Sequence, residues 1–339
     1  MEKYKTIIVG AGPGGLRCAK ILAEQKEDFI LFDKRPEIQR KICTGIWGLT
    51  PKTQRFNLPE ELFERKFNKV VLLMPHRQRE VKKEDPFVAT LDRKKLELWL
   101  LEEARNSGAK IVFNSLVSEV GENFVVVNGE RIFFDNLVGA DGSLSAVRKN
   151  LNLPTKSIFA AQYLVEGKFE NMEIYFNSAK FGPGYVWVAP YKNIGMVGAG
   201  VDLDLMPLEK LETNLDEWCR ERKYNIDSAK FEGAFINYNY RGYQFGNKFL
   251  VGDAAGFSSG LTGEGIYFAL TSGEDIAKII IDKNHQPKLI HQILEIKRKH
   301  EIVADIMRKG KYHQIFTRNL LFSLLKFESF KDKVINLTC

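Results

Sequence analysis

Three short stretches carry glycines and carboxylates at spacings that suit a phosphate-bearing ligand. Gly10, Gly12 and Gly15 form G-x-G-x-x-G directly after the apolar run Ile7, Ile8, Val9. In such a turn the first glycine makes the tight bend and the second lets backbone approach a pyrophosphate. The third lets the following helix pack close to its strand. The helix that follows, over 16–25, offers free N–H groups and a positive dipole end to phosphates. A second apolar run, 29–32, ends in Asp33, 21 residues beyond Gly12 (33 − 12), where an acid meets a ribose hydroxyl. Far along the chain, the run 249–251 ends at Gly252-Asp253, and a small-residue loop with Gly263 and Gly265 leads into a helix. Asp253 can accept from a sugar-alcohol hydroxyl, and that helix start can face a second part of the same ligand. Between them lies Asp141-Gly142-Ser143-Leu144-Ser145-Ala146-Val147-Arg148, after a strand expected at 136–140.

Two further groups of residues have chemical potential. Tyr185 and Trp187 stand two apart on an expected strand, so they share a face. Two large rings side by side can wall a flat or long apolar ligand, although aromatic residues on a sheet face also serve as core. The segment 34–51 holds Arg35, Arg40, Lys41, Cys43, Thr44, Gly45 and Gly48 and reads as one functional loop. Cys18, Cys43, Cys219 and Cys339 lie far apart. They form no metal-ligand pattern and suit a reducing cytoplasm.

The elements that position these residues alternate in type. Strands are expected at 70–74 and 87–91, a helix over 93–106 with Asp92 as its N-cap, and a strand at 110–113. The pair 124–127 and 131–134, joined by Asn128-Gly129, reads as a hairpin. From about 157 to 243 aromatic residues become dense and strands alternate, at 159–165, 172–176, 185–189 and 194–201, with one helix over 208–223. The tail, 288–339, reads as helical and basic. Length (339 residues) and an apolar content of 44% allow two domains with a sizeable core. No apolar run approaches a membrane span of about 18 residues, and no signal peptide is expected. The net charge of +7 fits anionic ligands or an anionic membrane surface; no nucleic-acid partner is expected.

Taken together, the three ordered motifs resemble those of FAD-dependent oxidoreductases of the aromatic-hydroxylase superfamily, with its D-G-x-x-S-x-x-R and G-D signatures. Tyr185-Val-Trp187-Val-Ala189-Pro190 resembles the Y-x-W-x-F-P signature of the geranylgeranyl reductases, with Ala189 where phenylalanine is usual. The loop Lys41-Ile42-Cys43-Thr44-Gly45 is similar to their cysteine–glycine loop, with Thr44 where glycine is common. Archaeal members that saturate membrane lipids are the nearest in character.

The resemblance implies an α/β fold with an α+β second domain. A Rossmann-like FAD-binding domain (1–66, 92–156, 245–285) would carry an inserted antiparallel-sheet substrate domain (67–91, 157–244) and a helical C-terminal segment (286–339). It implies FAD as cofactor, held by Gly10, Gly12, Gly14, Gly15, Asp33, Lys34, Cys43, Thr44, Gly45, Arg93, Val117, Asp141, Asp253, Gly265 and Ile266. Arg93 also reads as an ordinary first-turn helix residue, and Arg148 as a structural pair of Asp141. No metal is implied. The activity implied is saturation of carbon–carbon double bonds in geranylgeranyl or polyprenyl chains. Tyr185 and Trp187 would offer aromatic faces to developing positive charge, and Cys43 would position or supply a proton or merely pack. The partners implied are an isoprenoid lipid, an electron donor (NAD(P)H or ferredoxin) and a membrane surface, in a cytoplasmic protein peripheral to the membrane. Two other readings share these motifs: a flavin monooxygenase or halogenase, and a non-catalytic prenyl-binding escort protein.

Overall fold

The computed structural model describes residues 2–338, with side chains through Ile335; Cys339 lies outside the described residues. The chain divides into two compact units. One comprises residues 1–41, 94–157 and 235–299, and the other residues 42–93, 158–234 and 300–339.

The first unit is built on a sheet ordered Gln244–Phe245, Lys248–Leu250, Glu130–Gly139, Lys3–Val9, Phe29–Phe32, Ile111–Val112. From Lys248–Leu250 to Ile111–Val112 every pairing is parallel. Ile7, Ile8, Leu31, Leu137, Val138 and Leu250 are fully buried or nearly so, as strands covered on both faces require. Val9 pairs with Gly139 on one side and Phe32 on the other, and Gly139 pairs with Leu250. The carboxyl ends of four strands therefore line up along one edge. Helix Pro13–Glu24 leaves the first of them, and helix Ile266–Ile281 follows the last. The two helices touch backbone to backbone: a side-chain carbon on Gly273 would lie 2.2 Å from the Gly14 carbonyl oxygen.

The hairpin expected at Asn128-Gly129 is present, with positive φ at both turn residues (52° and 89°). Its second arm and the strand expected at 136–140 are one continuous strand, Glu130–Gly139. Asp135 and Asn136 interrupt the apolar pattern, but parallel pairing with Lys3–Val9 carries the strand through them.

The second unit holds a seven-stranded sheet ordered Lys230–Asn237, Ser157–Glu166, Ile194–Asp202, Tyr185–Pro190, Met172–Tyr175, Lys69–Met74, Arg77–Lys82. One face packs on helix Leu208–Glu221, through Val186, Val188, Val197 and Ala199 against Leu211, Leu215 and Trp218. The opposite face carries Tyr185, Trp187, Ala189 and Met196. A three-stranded sheet joins Ile46–Gly48, Val88–Leu91 and Phe63–Phe67. The segment expected as one loop over 34–51 thus ends in a strand, because backbone pairing with Val88–Leu91 recruits it. The tail folds as helices Lys288–Arg308, Lys311–Leu324 and Glu328–Thr338. Phe322, Leu325 and Ile335 are core residues, packed with Phe67, Leu72, Val81, Phe87 and Met172.

Candidate functional site

The parallel edge of the first unit gathers the motifs that lie far apart in sequence. Gly10, Asp33, Asp141 and Gly252-Asp253 all stand just beyond the ends of adjacent parallel strands. That edge is where open α/β sheets bind ligands. Gly10, Gly14 and Gly15 are explained by packing alone. A side-chain carbon there would meet Ala140 O at 2.6 Å, Val251 at 2.3 Å or Gly10 O at 2.0 Å. Gly12 is different: its nearest neighbours would be Lys41 Nζ at 3.6 Å and Ala140 O at 3.9 Å. Nothing in the protein fills the space a side chain would take, so this glycine keeps backbone open to a ligand.

Asp33 is buried, and both its oxygens are engaged. Oδ2 accepts from Ala11 N at 2.6 Å and Arg35 Nη2 at 3.0 Å, and Oδ1 from Arg35 N at 2.8 Å and Arg35 Nε at 2.9 Å. Burial alone would raise this carboxyl, but the hydrogen bonds from Arg35 and Ala11 outweigh it and hold it below its ordinary value. Arg35 also pairs with the buried Glu97 at 2.9 Å and reaches the Ala11 carbonyl at 3.0 Å. Lys34 points to solvent. The residue that organises Asp33 is therefore its second neighbour, not its first.

Ser143 joins the middle motif, which begins at Asp141, to Asp253. Asp141 Oδ2 caps the short helix Ala146–Asn150 by accepting from Ala146 N at 2.7 Å. Its Oδ1 is buried without a partner, and burial raises its carboxyl above the ordinary range. Ser143 Oγ donates to Asp253 Oδ2 at 2.9 Å and accepts from Asn237 N at 3.1 Å. Ser258 Oγ donates to the other oxygen of Asp253. A side chain on Gly265 would press on both, 2.7 Å from Ser258 Oγ and 3.2 Å from Asp253 Oδ1, and would displace the pair. Ile266 follows as the first residue of its helix. Arg148 does not pair with Asp141. It is wholly buried and donates to the carbonyls of Ala254 (3.0 Å), Asn239 (2.6 Å) and Pro154 (2.5 Å), so it binds the Asp253 loop to the middle motif through backbone. Val117 is buried at the start of its strand and pairs with Val127.

In the second unit, Tyr185 and Trp187 share a strand face as expected, with ring centroids 6.2 Å apart at 67°. Their cross-strand partners are Gly200 and Gly198. A side-chain carbon on Gly198 would lie 2.4 Å from Trp187 Cζ2, so the indole lies over that glycine. Trp187 is only 7% exposed, and its Nε1 is buried without a partner. The Cys43–Thr44–Gly45 loop is fastened in the same unit. Gly45 has φ +67°, and Tyr191 Oη donates to Leu91 O at 2.7 Å and Thr44 O at 3.0 Å. Gly45 N donates to Cys43 Sγ at 3.3 Å. Cys43 is a partly exposed thiol, whereas burial pushes Cys18 and Cys219 up to about 12 and makes them inert. Arg93 opens helix Arg93–Asn106. Among the described residues no cluster of His, Cys, Asp or Glu could hold a metal.

Comparison with known proteins accords with this geometry. Residues 8–39 match the NAD(P)-binding Rossmann-like domain. An uncharacterized protein of Methanosarcina barkeri is 28% identical, over 95% of this chain and 86% of its own length. The geranylgeranyl diphosphate reductase of Rhodobacter capsulatus is 27% identical over 98% of this chain and 92% of its own. The digeranylgeranylglycerophospholipid reductase of Methanocaldococcus jannaschii is 26% identical over 94% and 88%. The chain is a homologue of the geranylgeranyl reductases. A solved geranylgeranyl bacteriochlorophyll reductase-like protein from Thermoplasma acidophilum shares the fold, with TM-score 0.75 over 100% of this chain and 92% of that one at 19% identity. A flavin-dependent brominase shares it equally, with TM-score 0.75 over 99% and 93% at 16% identity, so the fold alone does not separate reduction from halogenation.

FAD is the cofactor that this reductase homologue's residues fit. The open backbone at Gly12, the unpartnered Asp141 Oδ1 and the two helix starts at Gly12 and Gly265 offer acceptors and donors along one sheet edge. Sequence reasoning missed Arg35 as the partner of Asp33, Ser143 as the link to Asp253, and Lys41 as the ammonium beside Gly12. Arg35 and Lys41 were visible as cations in a polar loop. Ser143 sits inside the D-G-x-x-S motif at a position that the motif leaves unspecified.

Proposed function

We propose that this FAD-dependent oxidoreductase saturates carbon–carbon double bonds of geranylgeranyl or longer prenyl chains. The observation that carries the reading is the Tyr185–Trp187 face, seated over Gly198 and Gly200, in a chain whose relatives along nearly its whole length include proteins named as geranylgeranyl diphosphate and digeranylgeranylglycerophospholipid reductases. The chemistry that reduced FAD would supply, held on the glycine-rich edge, is hydride donation to an alkene carbon. The protein's part is to bind the chain, exclude water and stabilise positive charge at the other carbon. Tyr185 and Trp187 present aromatic faces for that charge. Cys43 holds the proton-delivery position, with its sulfur kept in place by the Gly45 N–H. Pyrophosphate would lie on Gly10–Gly15 with Lys41 beside it. Asp141 would face the phosphate side, Asp253 the ribitol or pyrophosphate, Gly265 and Ile266 the isoalloxazine, and Asp33 with Arg35 and Val117 the adenosine half.

A prenyl substrate resides in a bilayer, and the tail helix offers a surface to meet it. Tyr312, Ile315, Phe316 and Leu320 are exposed along one side of helix Lys311–Leu324, and Lys309, Lys311 and Lys326 are exposed close by in sequence. The face is narrow, because Phe322 and Leu325 belong to the core. Arg318 is not a membrane-facing charge: it is buried and donates to Ser178 Oγ (2.5 Å), Gly182 O (2.9 Å) and Gly184 O (2.7 Å). No helix of the described residues is long and apolar enough to cross a membrane.

The decisive experiment is mass spectrometry of lipids from cells expressing the protein, followed by reduction of the identified lipid by purified, chemically reduced protein. Mass gains of two hydrogens per double bond are expected. Oxygen consumption with hydroxylated or halogenated product, and no saturated prenyl chain, would refute the reading.

A further inference from the structure

The sheet face that carries Tyr185 and Trp187 holds a buried polar pair directly beside the indole. Gln162 pairs laterally with Gly198, which pairs with Trp187, so Gln162 stands on the same face beside the indole. It is 2% exposed, and its neighbour Glu232 is 7% exposed. Gln162 Nε2 donates to Glu232 Oε1 at 2.9 Å, and Gln162 Oε1 accepts from Thr44 Oγ1 at 2.9 Å. Burying an amide and a carboxylate is costly, and an aliphatic pair would complete this sheet face without that cost. The polar pair therefore asks for a reason beyond packing.

The string has a direction. The Gln162 amide nitrogen faces Glu232 and donates to its carboxyl oxygen. Its carbonyl oxygen must then face Thr44, and the Thr44 hydroxyl must give its one proton inward. Thr44 is the middle of the Cys43–Gly45 loop. Its carbonyl accepts from Tyr191, and the next residue's N–H goes to Cys43 Sγ. Lys230 Nζ stands 3.7 Å from the other oxygen of Glu232 but is largely exposed, so it adds little of its own.

We propose that Glu232 and Gln162 are positioning residues that orient Thr44 and thereby hold the thiol of Cys43 at the aromatic face. The inference rests on the reading of Cys43 as part of the reducing site. It assigns a function to a carboxylate remote in sequence from every motif.

The test uses the FAD-loaded full chain and the variants Glu232→Gln, Gln162→Leu, Thr44→Val and Thr44→Ser. Two quantities are read: steady-state reduction of a geranylgeranyl lipid, and the alkylation rate of Cys43 by iodoacetamide, followed on its own peptide by mass spectrometry. Loss of one or two hydrogen bonds from the string in Gln162→Leu and Thr44→Val is expected to lower kcat about tenfold with KM changed less than about threefold, and Glu232→Gln, whose amide oxygen still accepts from Gln162, should show a smaller effect in the same direction. The Cys43 alkylation rate should change by a similar factor, and Thr44→Ser should restore both. If prenyl reduction proves not to be the reaction, the alkylation rates alone decide the inference, since they need no substrate. Should Glu232→Gln fail to fold, Thr44→Val breaks the same string at its accessible end and is read in the same way. Unchanged Cys43 reactivity in folded Thr44→Val and Gln162→Leu would overturn the proposal. So would loss of reactivity control that Thr44→Ser does not restore.

Discussion

Gly198 and Gly200 lie on one strand, on one sheet face, two residues apart, and they should respond oppositely to the same added methyl group. At Gly198 the new carbon would stand 2.4 Å from Ala161 O, 2.4 Å from Trp187 Cζ2 and 2.6 Å from Gln162 Cβ. Carbon contacts relax near about 3.5 Å or beyond, so a backbone carbonyl and the indole must each yield by roughly 1 Å. Overpacking of this kind costs about 1–3 kcal/mol, at the upper end here because one neighbour is backbone. Reduced freedom of the unfolded chain returns only about 0.4–1 kcal/mol. The net loss of about 2 kcal/mol should lower Tm by roughly 4–8 °C in a unit of this size. At Gly200 the carbon would meet Ile158 Cγ2 at 3.4 Å and Trp187 Cζ3 at 3.7 Å, which are ordinary contacts. Gly200→Ala should stay within about 1 kcal/mol of the parent. Gly198→Ala should also displace the indole and lower prenyl reduction by up to about 100-fold, as ångström-scale misplacement can. FAD content should be unchanged, since the glycine loop lies in the other unit. Calorimetry, flavin absorbance and turnover on the two variants suffice. Equal Tm and equal turnover would show that the indole does not lie where the strand register puts it.

Three further outcomes follow from the dinucleotide edge. Gly12→Ala should fold normally, having no neighbour closer than 3.6 Å, yet lose FAD, whereas Gly15→Ala should fail to fold because its methyl would sit 2.0 Å from Gly10 O; equilibrium dialysis on the soluble variant checks this. Asp253→Ala should weaken FAD retention by about 1.5–3 kcal/mol, roughly 10- to 100-fold, and Ser143→Ala by less; unchanged affinity in Asp253→Ala would remove it from the site. Asp33 is held below its ordinary value, so its stabilising effect is complete above the unfolded carboxyl value of about 3.9 and fades as pH falls below it. Urea midpoints measured from neutral to acid pH should fall more steeply for the parent than for Asp33→Asn, and parallel curves would contradict the Arg35–Asp33 pairing.

Much of this protein is decided locally. The run Ile7-Ile8-Val9 followed by Gly10, Gly12 and Gly15 announces strand, turn and helix, because only glycine tolerates the close approaches at Gly10 and Gly15 and buried parallel strands are apolar throughout. Helix Arg93–Asn106 and the Asn128-Gly129 hairpin are equally legible, since helical periodicity and a positive-φ turn are properties of nearby residues. The alternation at Tyr185 and Trp187 likewise defines a shared face. Tertiary structure decided what those residues meet. Arg35 occupies Asp33, Ser143 joins Asp141's motif to Asp253, and Arg148 serves backbone carbonyls instead of an acid. Gln162 and Glu232 become partners across neighbouring strands, 70 residues apart. Arg318, a surface charge by its helical context, is buried beneath a turn from a distant segment. These assignments depend on which strands lie side by side and in what register, and that is settled by burial summed over the whole sheet. A polar side chain carries no local mark of whether its partner will be water, backbone or another chain segment.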